Sequence, residues 1–291
     1  MSVEGAVAIA GAGLMGSQIG CEYALGGHDV IWLARDRGRA EGRINAALAT
    51  ALEHGLASGA EIDAARARMS FAVDREVGLI VESLPESLQV KAAVLGVVCA
   101  EHPGAILATN TSSISVTALS DAAGAPERTV GTHYWNPPLL MPLVELVAAE
   151  LTPADMLESV AELLTAIGKR PVRLAREVPG LLWNRLQLAV LRECLWLVDA
   201  GVATPETIDE VMRDGLARRW RLTGPFETVG LGGAATFDAI AENLFPVLSN
   251  ATEGSGFAGH VPTDPQQLRS LRERRDRELA AELRTERGAR G

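Results

Sequence analysis

Cysteine and positive charge are both scarce in this chain, and long apolar runs are missing. Among 291 residues the 3 cysteines (Cys21, Cys99 and Cys194) lie far apart, in neither a metal-binding nor a disulfide spacing. Lysine and arginine number 27 against 37 acidic residues, and the net charge of −10 argues against binding to a nucleic-acid backbone. The apolar runs fall well short of the roughly 18 residues that a membrane span requires. We therefore expect no metal site, no nucleic-acid partner and no membrane association.

We also expect no secretion signal in the first residues. The segment MSVEGAVAIAGAG has no basic region and runs directly into a strand-and-glycine pattern. Because the cysteines are few and form no disulfide framework, we expect a cytoplasmic protein.

Apolar residues make up 47% of the chain, and in its first part they alternate between strand-like and helical stretches. Helical stretches such as ESLQVKAAVLGVVCAEH separate short apolar segments, an alternation that predicts an α/β fold with a mostly parallel sheet. The predicted strands are GAVAIA (5–10), DVIWLA (29–34), FAV (71–73), GLIVES (78–83), AILAT (105–109) and TVGTHYW (129–135).

The later part of the chain has a helical pattern throughout. LLWNRLQLAVLRECLWLVDAG and PETIDEVMRDGLA show helical spacing with no strand between them, and LRSLRERRDRELAAELRTER predicts a charged, solvated helix. We therefore predict a nucleotide-binding domain over residues 1–178 and an all-helical domain over residues 179–291, with a boundary near Val178 and Pro179.

A glycine-rich turn, GAGLMG, joins the first predicted strand to the first helix. Its glycines fit the G-x-G-x-x-G pattern: the first permits a tight turn, the second admits a pyrophosphate, and the third lets helix and strand pack closely. A pyrophosphate there would lie at a helix N-terminus, where free N–H groups favour an anion. The alternative is an ordinary strand-to-helix turn. The context predicts a dinucleotide-binding loop made of Gly11, Gly13, Leu14, Met15 and Gly16.

The end of the second predicted strand bears on which dinucleotide is bound. The pattern calls for an acid there to bind the ribose 2′-hydroxyl, but the position holds Ala34. Arg35 follows, and a guanidinium suits a 2′-phosphate, which leans the prediction slightly toward NADP. The alternative is that Arg35 is a solvated loop residue and that Asp36 reaches the ribose through a shifted loop.

The segment TVGTHYWNPPLLMPLVELV (129–147) places a histidine near a carboxylate that lies inside an apolar run. Glu145 is costly there unless it has a partner, and a strand–turn–strand would bring it to His133. A carboxylate on one imidazole nitrogen fixes the tautomer, so the other nitrogen can take a hydroxyl proton while a hydride leaves the same carbon. The alternatives are a core histidine bonded to backbone and a glutamate that faces solvent on an edge strand.

Two further polar features each have two interpretations. The loop TNTSSIS (109–115), which includes Asn110, can bond a substrate oxygen or a nicotinamide, or it can cap the following helix. Asn184 opens an apolar helix in PGLLWNRLQ, where it can cap the helix or bind a ligand.

Taken in order, GAGLMG, VESLPESLQVK, TNTSS, HYWNPP…PLVELV and VPGLLWNRLQ resemble the motifs of the 3-hydroxyacyl-CoA dehydrogenase superfamily over nearly the whole chain. The resemblance implies a Rossmann domain followed by a helical domain that usually forms the dimer. It implies a His133–Glu145 catalytic pair, with Ser112 and Asn184 holding the substrate oxygen. It also implies that the nicotinamide half of the cofactor lies beside Glu86, Lys91, Ser112 and Asn136.

Within the superfamily, WNPPLLMPLVELV, RDGLARRWRLTGPFE and VPTDPQQLRSLRERRDREL are most similar to the lambda-crystallin branch. That branch includes L-gulonate 3-dehydrogenase and relatives that act on small 3-hydroxy acids such as carnitine. Pro142 stands where members that use CoA often carry lysine, and Arg219 stands where the branch has an arginine. The resemblance implies that Arg219 binds a substrate carboxylate, either in its own subunit or in the other subunit of a dimer. The alternative is an exposed arginine in a basic run.

These features together predict an NAD(P)-dependent dehydrogenase that interconverts a small 3-hydroxy acid and its 3-oxo product, as a homodimer. Family membership implies NAD, whereas Ala34 and Arg35 lean away from it, so both cofactors stay open. The nearest alternative is a dehydrogenase of 3-hydroxyacyl thioesters, on CoA or a carrier protein. An alternative of another class is a non-catalytic, cofactor-binding protein like a crystallin.

Overall fold

The computed structural model describes residues 3–252 and 257–288 of the chain. It divides into two compact units: the first runs as far as Leu182 and resumes at Ser270, and the second is Trp183–Arg269. The predicted boundary near Val178 and Pro179 lies a few residues before this division.

The first unit contains one eight-stranded sheet. Its strands are β1 (Ala6–Ala10), β2 (Val30–Leu33), β3 (Met69–Ser70), β4 (Val77–Glu82), β5 (Ile106–Thr109), β6 (Thr129–Tyr134), β7 (Leu143–Ala148) and β8 (Arg170–Arg173). The order across the sheet is β3-β2-β1-β4-β5-β6-β7-β8. Strands β1 to β6 are parallel, β7 is antiparallel to β6, and β8 is parallel to β7. The predicted α/β class with a mostly parallel sheet is confirmed.

Helices cover both faces of this sheet, which is why β1 is buried along its whole length. The helices between the strands are α1 (Leu14–Leu25), α2 (Arg37–Glu53), α3 (Gly59–Ala67), α4 (Leu88–Glu101), α5 (Val116–Ala122) and α6 (Ala154–Ala166).

The described part of the second unit is helical, which confirms the all-helical character predicted for the later part of the chain. Its helices are α7 (Trp183–Asp199), α8 (Pro205–Val211), α9 (Arg218–Trp220), α10 (Pro225–Gly232) and α11 (Ala234–Leu244), and α12 (Pro265–Gly288) follows. A π-helical turn over Met212–Ala217 joins α8 to α9. Within residues 3–252 and 257–288, no helix is both long and apolar enough to cross a membrane.

Two details of the sequence prediction are wrong. The segment FAV (71–73) is not a strand, because the Ser70 hydroxyl accepts a hydrogen bond from the amide of Ala72 at 2.9 Å and turns the chain after Ser70. The charged C-terminal helix is not solvated throughout, since Ala280 and Leu283 of α12 are buried. Arg284 of α12 also donates to the backbone oxygen of His54.

A buried ion pair fixes the connection between β6 and β7. Lys169 directly precedes β8, and its ammonium contacts the carboxylate of Glu22 on α1. It also donates to the backbone oxygens of Pro138 at 2.7 Å and Met141 at 3.0 Å. All three ammonium protons therefore have acceptors, and they tie the β6–β7 connection to α1.

Burial of the Glu22 carboxylate disfavours its charged form and so changes its pKa. Burial raises the pKa of Glu22 to about 7, against the opposing effect of Lys169. Because the folded-state value lies above the ordinary value of 4.5, the stability that Glu22 contributes is present below about pH 4.5. It is lost as the pH rises through about 7.

Replacing Lys169 by methionine should destabilise the protein, because it leaves the Glu22 carboxylate buried without its cation. We expect a loss of about 3–5 kcal/mol in the free energy of unfolding at pH 8, and a smaller loss at pH 5, where Glu22 holds a proton. Urea denaturation at the two pH values measures both. Arg173→Met, which removes an exposed pair with Glu158, is the control and should change little. An equal loss at pH 5 and pH 8 would contradict this account.

Candidate active site

The turn after β1 has the conformation that a glycine-rich anion site requires. Gly11 has a φ of +104°, and a Cβ there would lie 2.6 Å from the Ser83 carbonyl oxygen. At Gly16 a Cβ would overlap the Gly11 carbonyl oxygen, so only glycine lets α1 approach β1 this closely. At Gly13, which caps α1, a Cβ would meet nothing within 4 Å. The residues present therefore leave open space for a pyrophosphate over the N-terminus of α1.

The end of β2 offers an unengaged guanidinium and an engaged carboxylate. Ala34 is half-buried and packs against the core. Asp36 caps α2, and its carboxylate accepts a hydrogen bond from the Arg39 amide at 3.0 Å. Arg35 is exposed and makes no hydrogen bond or ion pair within the described part of the chain. The structure therefore gives Asp36 a capping role and leaves Arg35 available to a ligand.

A buried cluster lies at the carboxyl ends of β4 and β5. The Lys91 ammonium lies 2.5 Å from Oε1 of Glu82 and 3.1 Å from Oε2 of Glu86. The other oxygen of Glu82 accepts a hydrogen bond from the Thr109 hydroxyl at 2.6 Å. Glu82 and Lys91 are fully buried, whereas the Glu86 side chain is 35% exposed. Glu86 is therefore the member of the cluster that a ligand can reach.

Glu86 also holds the hydroxyl-rich loop after β5. Its Oε1 accepts from the Thr111 hydroxyl at 2.7 Å and from the amides of Ser112 and Ser113, both at 2.9 Å. Although burial works in the opposite direction, these hydrogen bonds and Lys91 lower the pKa of Glu86 to about 2. Glu86 is therefore an anion at any physiological pH.

Ser115 of the same loop caps a helix and does not bind Glu86. Ser115 caps α5, its hydroxyl accepting from the Ala118 amide at 3.1 Å. The capping interpretation of TNTSSIS thus holds for Ser115, while Thr111, Ser112 and Ser113 turn toward Glu86.

The two asparagines near β6 differ in exposure. The Asn110 side-chain oxygen accepts from the Tyr134 amide at 2.8 Å and so joins the end of β5 to β6. Asn136 is exposed just after β6, where its bond to Pro137 is cis. Asn136 therefore presents a side-chain amide to solvent on the chain that leaves the His133 strand.

His133 and Glu145 face each other across the antiparallel pair β6–β7. They are direct partners in the register, and Nδ1 of His133 lies 2.6 Å from Oε2 of Glu145. His133 is 6% exposed and Glu145 is 1% exposed. This geometry excludes a glutamate that faces solvent, and β7 is not an edge strand because β8 lies beyond it.

Two more groups hold the Glu145 carboxylate. Nε1 of Trp135 lies 3.4 Å from Oε2, and the Leu182 amide donates to Oε1 at 2.8 Å. The carboxylate thus has neutral donors on both oxygens, and it holds Nδ1 of His133. Nε2 is therefore the imidazole nitrogen left for proton transfer.

A pocket of about 320 Å³ opens beside the hydroxyl-rich loop after β5. One wall is the loop Thr111–Val116, which includes Ser112, and the other is Glu177–Leu181. Its lining mixes hydroxyl groups with apolar side chains, which suits a small, partly polar molecule.

The remaining predicted site residues lie in the second unit. Asn184 is the second residue of α7 and is half-buried, and Arg219 lies in α9 and is exposed. Their approach to the ligand of His133 stays a prediction.

Three groups of the site were not found from the sequence: Glu82, Trp135 and the Leu182 amide. Glu82 had a usable signal, because a glutamate at the end of the apolar strand GLIVE needs a buried partner. The Leu182 amide had none, since any residue except proline provides a backbone N–H.

Comparison with known proteins gives concordant matches. The family model "3-hydroxyacyl-CoA dehydrogenase, NAD binding domain" matches residues 6–178, and "3-hydroxyacyl-CoA dehydrogenase, C-terminal domain" matches residues 180–259. The chain is 28% identical over 299 residues to 5-formyl-3-hydroxy-2-methylpyridine 4-carboxylate 5-dehydrogenase of Mesorhizobium japonicum, covering 94% of this chain and 96% of that protein. It is 37% identical over 248 residues to an L-carnitine dehydrogenase of Burkholderia mallei, covering 82% and 76%.

A solved structure gives a similar result. This chain matches the crystal structure of 5-formyl-3-hydroxy-2-methylpyridine 4-carboxylic acid 5-dehydrogenase, an NAD⁺-dependent dismutase, with a TM-score of 0.86 and 27% sequence identity. The match covers 98% of each chain.

Alanine substitutions at two glycines of the turn should affect different properties, one the binding of the dinucleotide and the other the stability of the fold. Gly13→Ala should fold normally, because its methyl group meets no protein atom, yet it should weaken dinucleotide binding roughly tenfold or more by occupying the pyrophosphate space. Gly16→Ala should lower the melting temperature, because its methyl group overlaps the Gly11 carbonyl. Calorimetric titration and thermal denaturation measure the two effects. Unchanged dinucleotide affinity in Gly13→Ala would contradict the assignment of this turn.

Proposed function

The chain belongs to the 3-hydroxyacyl-CoA dehydrogenase family, and we propose that it oxidises a small, carboxylate-bearing 3-hydroxy acid to the 3-oxo acid, or runs the reverse. The observation that carries the proposal is the buried contact of 2.6 Å between His133 and Glu145. A general base needs this support, because the neighbouring carboxylate stabilises the imidazolium that forms.

The proposed roles of the chain follow from this pair. Nε2 of His133 takes the hydroxyl proton as the C–O bond becomes a carbonyl, and Glu145 stabilises the charge that results. NAD supplies the acceptor for the hydride that leaves the same carbon. Ser112 and Asn184 hold the substrate oxygen and polarise it. Residues of the glycine turn (Gly11, Gly13, Leu14, Met15 and Gly16) hold the pyrophosphate, and Glu86, Asn110 and Asn136 lie beside the nicotinamide half. Lys91 is fully buried, so its part is to hold Glu86 in place rather than to touch the cofactor.

A free acid is favoured over a thioester as substrate. Both relatives described above are named for substrates that carry a carboxylate. Arg219 is exposed in the second unit and provides a guanidinium that can bind such a carboxylate in a bidentate manner. The thioester alternative keeps the same base but gives Arg219 no substrate carboxylate to bind.

A homodimer is the proposed assembly. Within residues 183–252 and 257–269, Thr228 is the single buried residue, although the unit is rich in apolar side chains. Phe226 is 91% exposed and Leu222 is 84% exposed. Exposed apolar surface on this scale favours a second copy of the chain. A sedimentation-equilibrium mass of one chain would contradict the dimer.

A reducing compartment, the cytoplasm, is also proposed. Cys21, Cys99 and Cys194 are free thiols, and the first two are buried. Burial raises the pKa of the Cys21 thiol to about 12, so it is neither a thiolate nor a ready partner for a disulfide.

His133→Gln should lower kcat by about 10²–10⁴-fold, because glutamine cannot take the proton, while dinucleotide affinity stays unchanged. The assay is a panel of L-carnitine, L-3-hydroxybutyrate, 5-formyl-3-hydroxy-2-methylpyridine 4-carboxylate and 3-hydroxybutyryl-CoA, each with both dinucleotides. His102→Gln, at the C-terminal end of α4, is the control. Normal turnover by His133→Gln would rule out His133 as the base.

The same panel tests the substrate class. Arg219→Ala should raise KM for free acids and leave KM for the CoA ester unchanged. An unchanged KM for every free acid would remove the role of Arg219, and turnover of the CoA ester alone would favour the thioester alternative.

For the cofactor, we propose that NAD is used and that NADP is rejected only weakly. Ala34 provides no carboxylate to repel a 2′-phosphate, and the unengaged Arg35 is placed to attract one. Ala34→Asp should raise the NAD/NADP ratio of kcat/KM roughly tenfold or more, since it adds a ligand for the 2′-hydroxyl and a like charge against the phosphate. Arg35→Ala should weaken NADP alone.

Arg37→Ala is the matched control for these cofactor variants, because Arg37 already pairs with Glu41 and lies over the Phe71 ring. Equal loss of NAD and NADP in Arg35→Ala would show that Arg35 is only a loop residue.

A further inference from the structure

An arginine of α2 contacts the glycine turn that precedes α1. The guanidinium of Arg43 donates from Nη1 to the Ala12 backbone oxygen at 3.1 Å, although 31 positions separate the two residues. Ala12 lies between Gly11, which turns the chain, and Gly13, which caps α1. The contact therefore brings a cation from a neighbouring helix to the turn that leaves space for a pyrophosphate.

The packing of α2 explains why Arg43 reaches this turn. Ala40, Ile44 and Ala47 are buried and form the face of α2 that lies on the core. The Ile44 backbone oxygen lies 3.8 Å from Sγ of Cys21, so this part of α2 lies against α1. Arg43 is adjacent to that face and is half-buried. Its position is thus set by a packed helix and not by a surface loop.

The Ala12 oxygen needs a donor from outside α1. The hydrogen-bond ladder of α1 starts at Gly13, whose oxygen accepts from the Ser17 amide at 3.0 Å. The Ala12 oxygen precedes that ladder, and its partial negative charge would oppose a phosphate bound nearby. Arg43 offsets this charge and holds the carbonyl in place.

Most donors of Arg43 have no protein partner. A guanidinium has several N–H groups and a fixed positive charge, and the contact with Ala12 uses one of these groups. Within residues 3–252 and 257–288, no carboxylate forms an ion pair with Arg43. Arg37 of the same helix, by contrast, pairs with Glu41. A half-buried guanidinium without a counter-ion is suited to an anionic ligand.

The charges around the turn favour an anion. The first turn of α1 contains no acidic residue, and the free N–H groups of a helix N-terminus attract negative charge. Arg35 is exposed at the end of β2. The nearby acid, Asp36, accepts a hydrogen bond from the Arg39 amide as the cap of α2. Arg43 therefore adds a cation to a site that already favours phosphate.

We propose that Arg43 is a dinucleotide-binding residue: it holds the glycine turn through the Ala12 oxygen and provides a cation for the pyrophosphate of the cofactor. This inference rests on the proposed function. The role differs from that of Arg35, because NAD and NADP share the pyrophosphate but not the 2′-phosphate. Loss of Arg43 therefore weakens both dinucleotides alike and leaves the preference between them unchanged.

Calorimetric titration of Arg43→Met with NAD, NADP and ADP tests this role. We expect the dissociation constant of each ligand to rise roughly tenfold, because a charge-assisted contact with the pyrophosphate is lost. Adenosine has no phosphate and should bind the variant as well as it binds the wild type. Arg37→Met removes an arginine of the same helix that already pairs with Glu41. It is the matched control and should bind all four ligands normally.

Three results would overturn the proposal. Unchanged affinity for ADP in Arg43→Met would show that the guanidinium does not act on the pyrophosphate. Loss of NADP affinity alone would place Arg43 at the 2′-phosphate. An equal loss of adenosine affinity would show that Arg43 only maintains the shape of the site.

Salt dependence separates a cation at the pyrophosphate from a side chain that only shapes the turn. Arg43→Lys keeps the charge, whereas Arg43→Gln keeps a donor and removes the charge. Raising the salt concentration from about 0.05 M to about 0.5 M should weaken ADP binding more in the wild type and Arg43→Lys than in Arg43→Gln, because salt screens the contact between charges. Equal salt dependence in the three proteins would overturn the cationic role. These two variants also provide the test if Arg43→Met does not fold.

Binding and turnover together separate this inference from the function it rests on. If no substrate of the panel is turned over, the proposed dehydrogenase fails, yet the ADP affinity of Arg43→Met still decides the role of Arg43. If substrates are oxidised while Arg43→Met binds ADP as tightly as the wild type, the role of Arg43 fails and the dehydrogenase stands.

Discussion

The hydrogen bond between His133 and Glu145 is the constraint on which the rest of the site depends. It exists because β7 turns back against β6 and the two residues are direct partners in the ladder. A slip of one residue would send one of the two side chains to the other face of the sheet. The connection between the strands must therefore be rigid, and Lys169 provides this by holding the backbone oxygens of Pro138 and Met141.

The buried carboxylates of the first unit fall into two kinds that differ in how their charge is balanced. Glu22 and Glu82 each contact a lysine ammonium. The contacts of Glu145 include an imidazole and two neutral donors. A lysine keeps its proton at neutral pH, so the first kind is suited to holding structure. An imidazole can gain or lose its proton there, so the second kind is suited to chemistry.

How far the sequence predicts this molecule depends on whether a contact is local or made between distant segments. The parallel sheet and the glycine turn follow from hydrophobic pattern and glycine chemistry, which act over short distances. The contact of Glu145 with His133 follows from a cost that any buried carboxylate carries. By contrast, β8, the docking of α12 and the Leu182 amide depend on tertiary packing. FAV failed as a strand because the Ser70 hydroxyl turns the chain, a choice that apolar pattern does not register.

The return of α12 to the first unit bears on how the protein is made. The second unit is an insertion between two segments of the first, which resumes only at Ser270. Ala280 and Leu283 are buried in a nucleotide-binding unit whose sheet is complete more than a hundred residues earlier, at Arg173. During synthesis on the ribosome, the first unit stays incomplete until α12 has emerged. Until then the first unit exposes apolar surface to which a chaperone can bind.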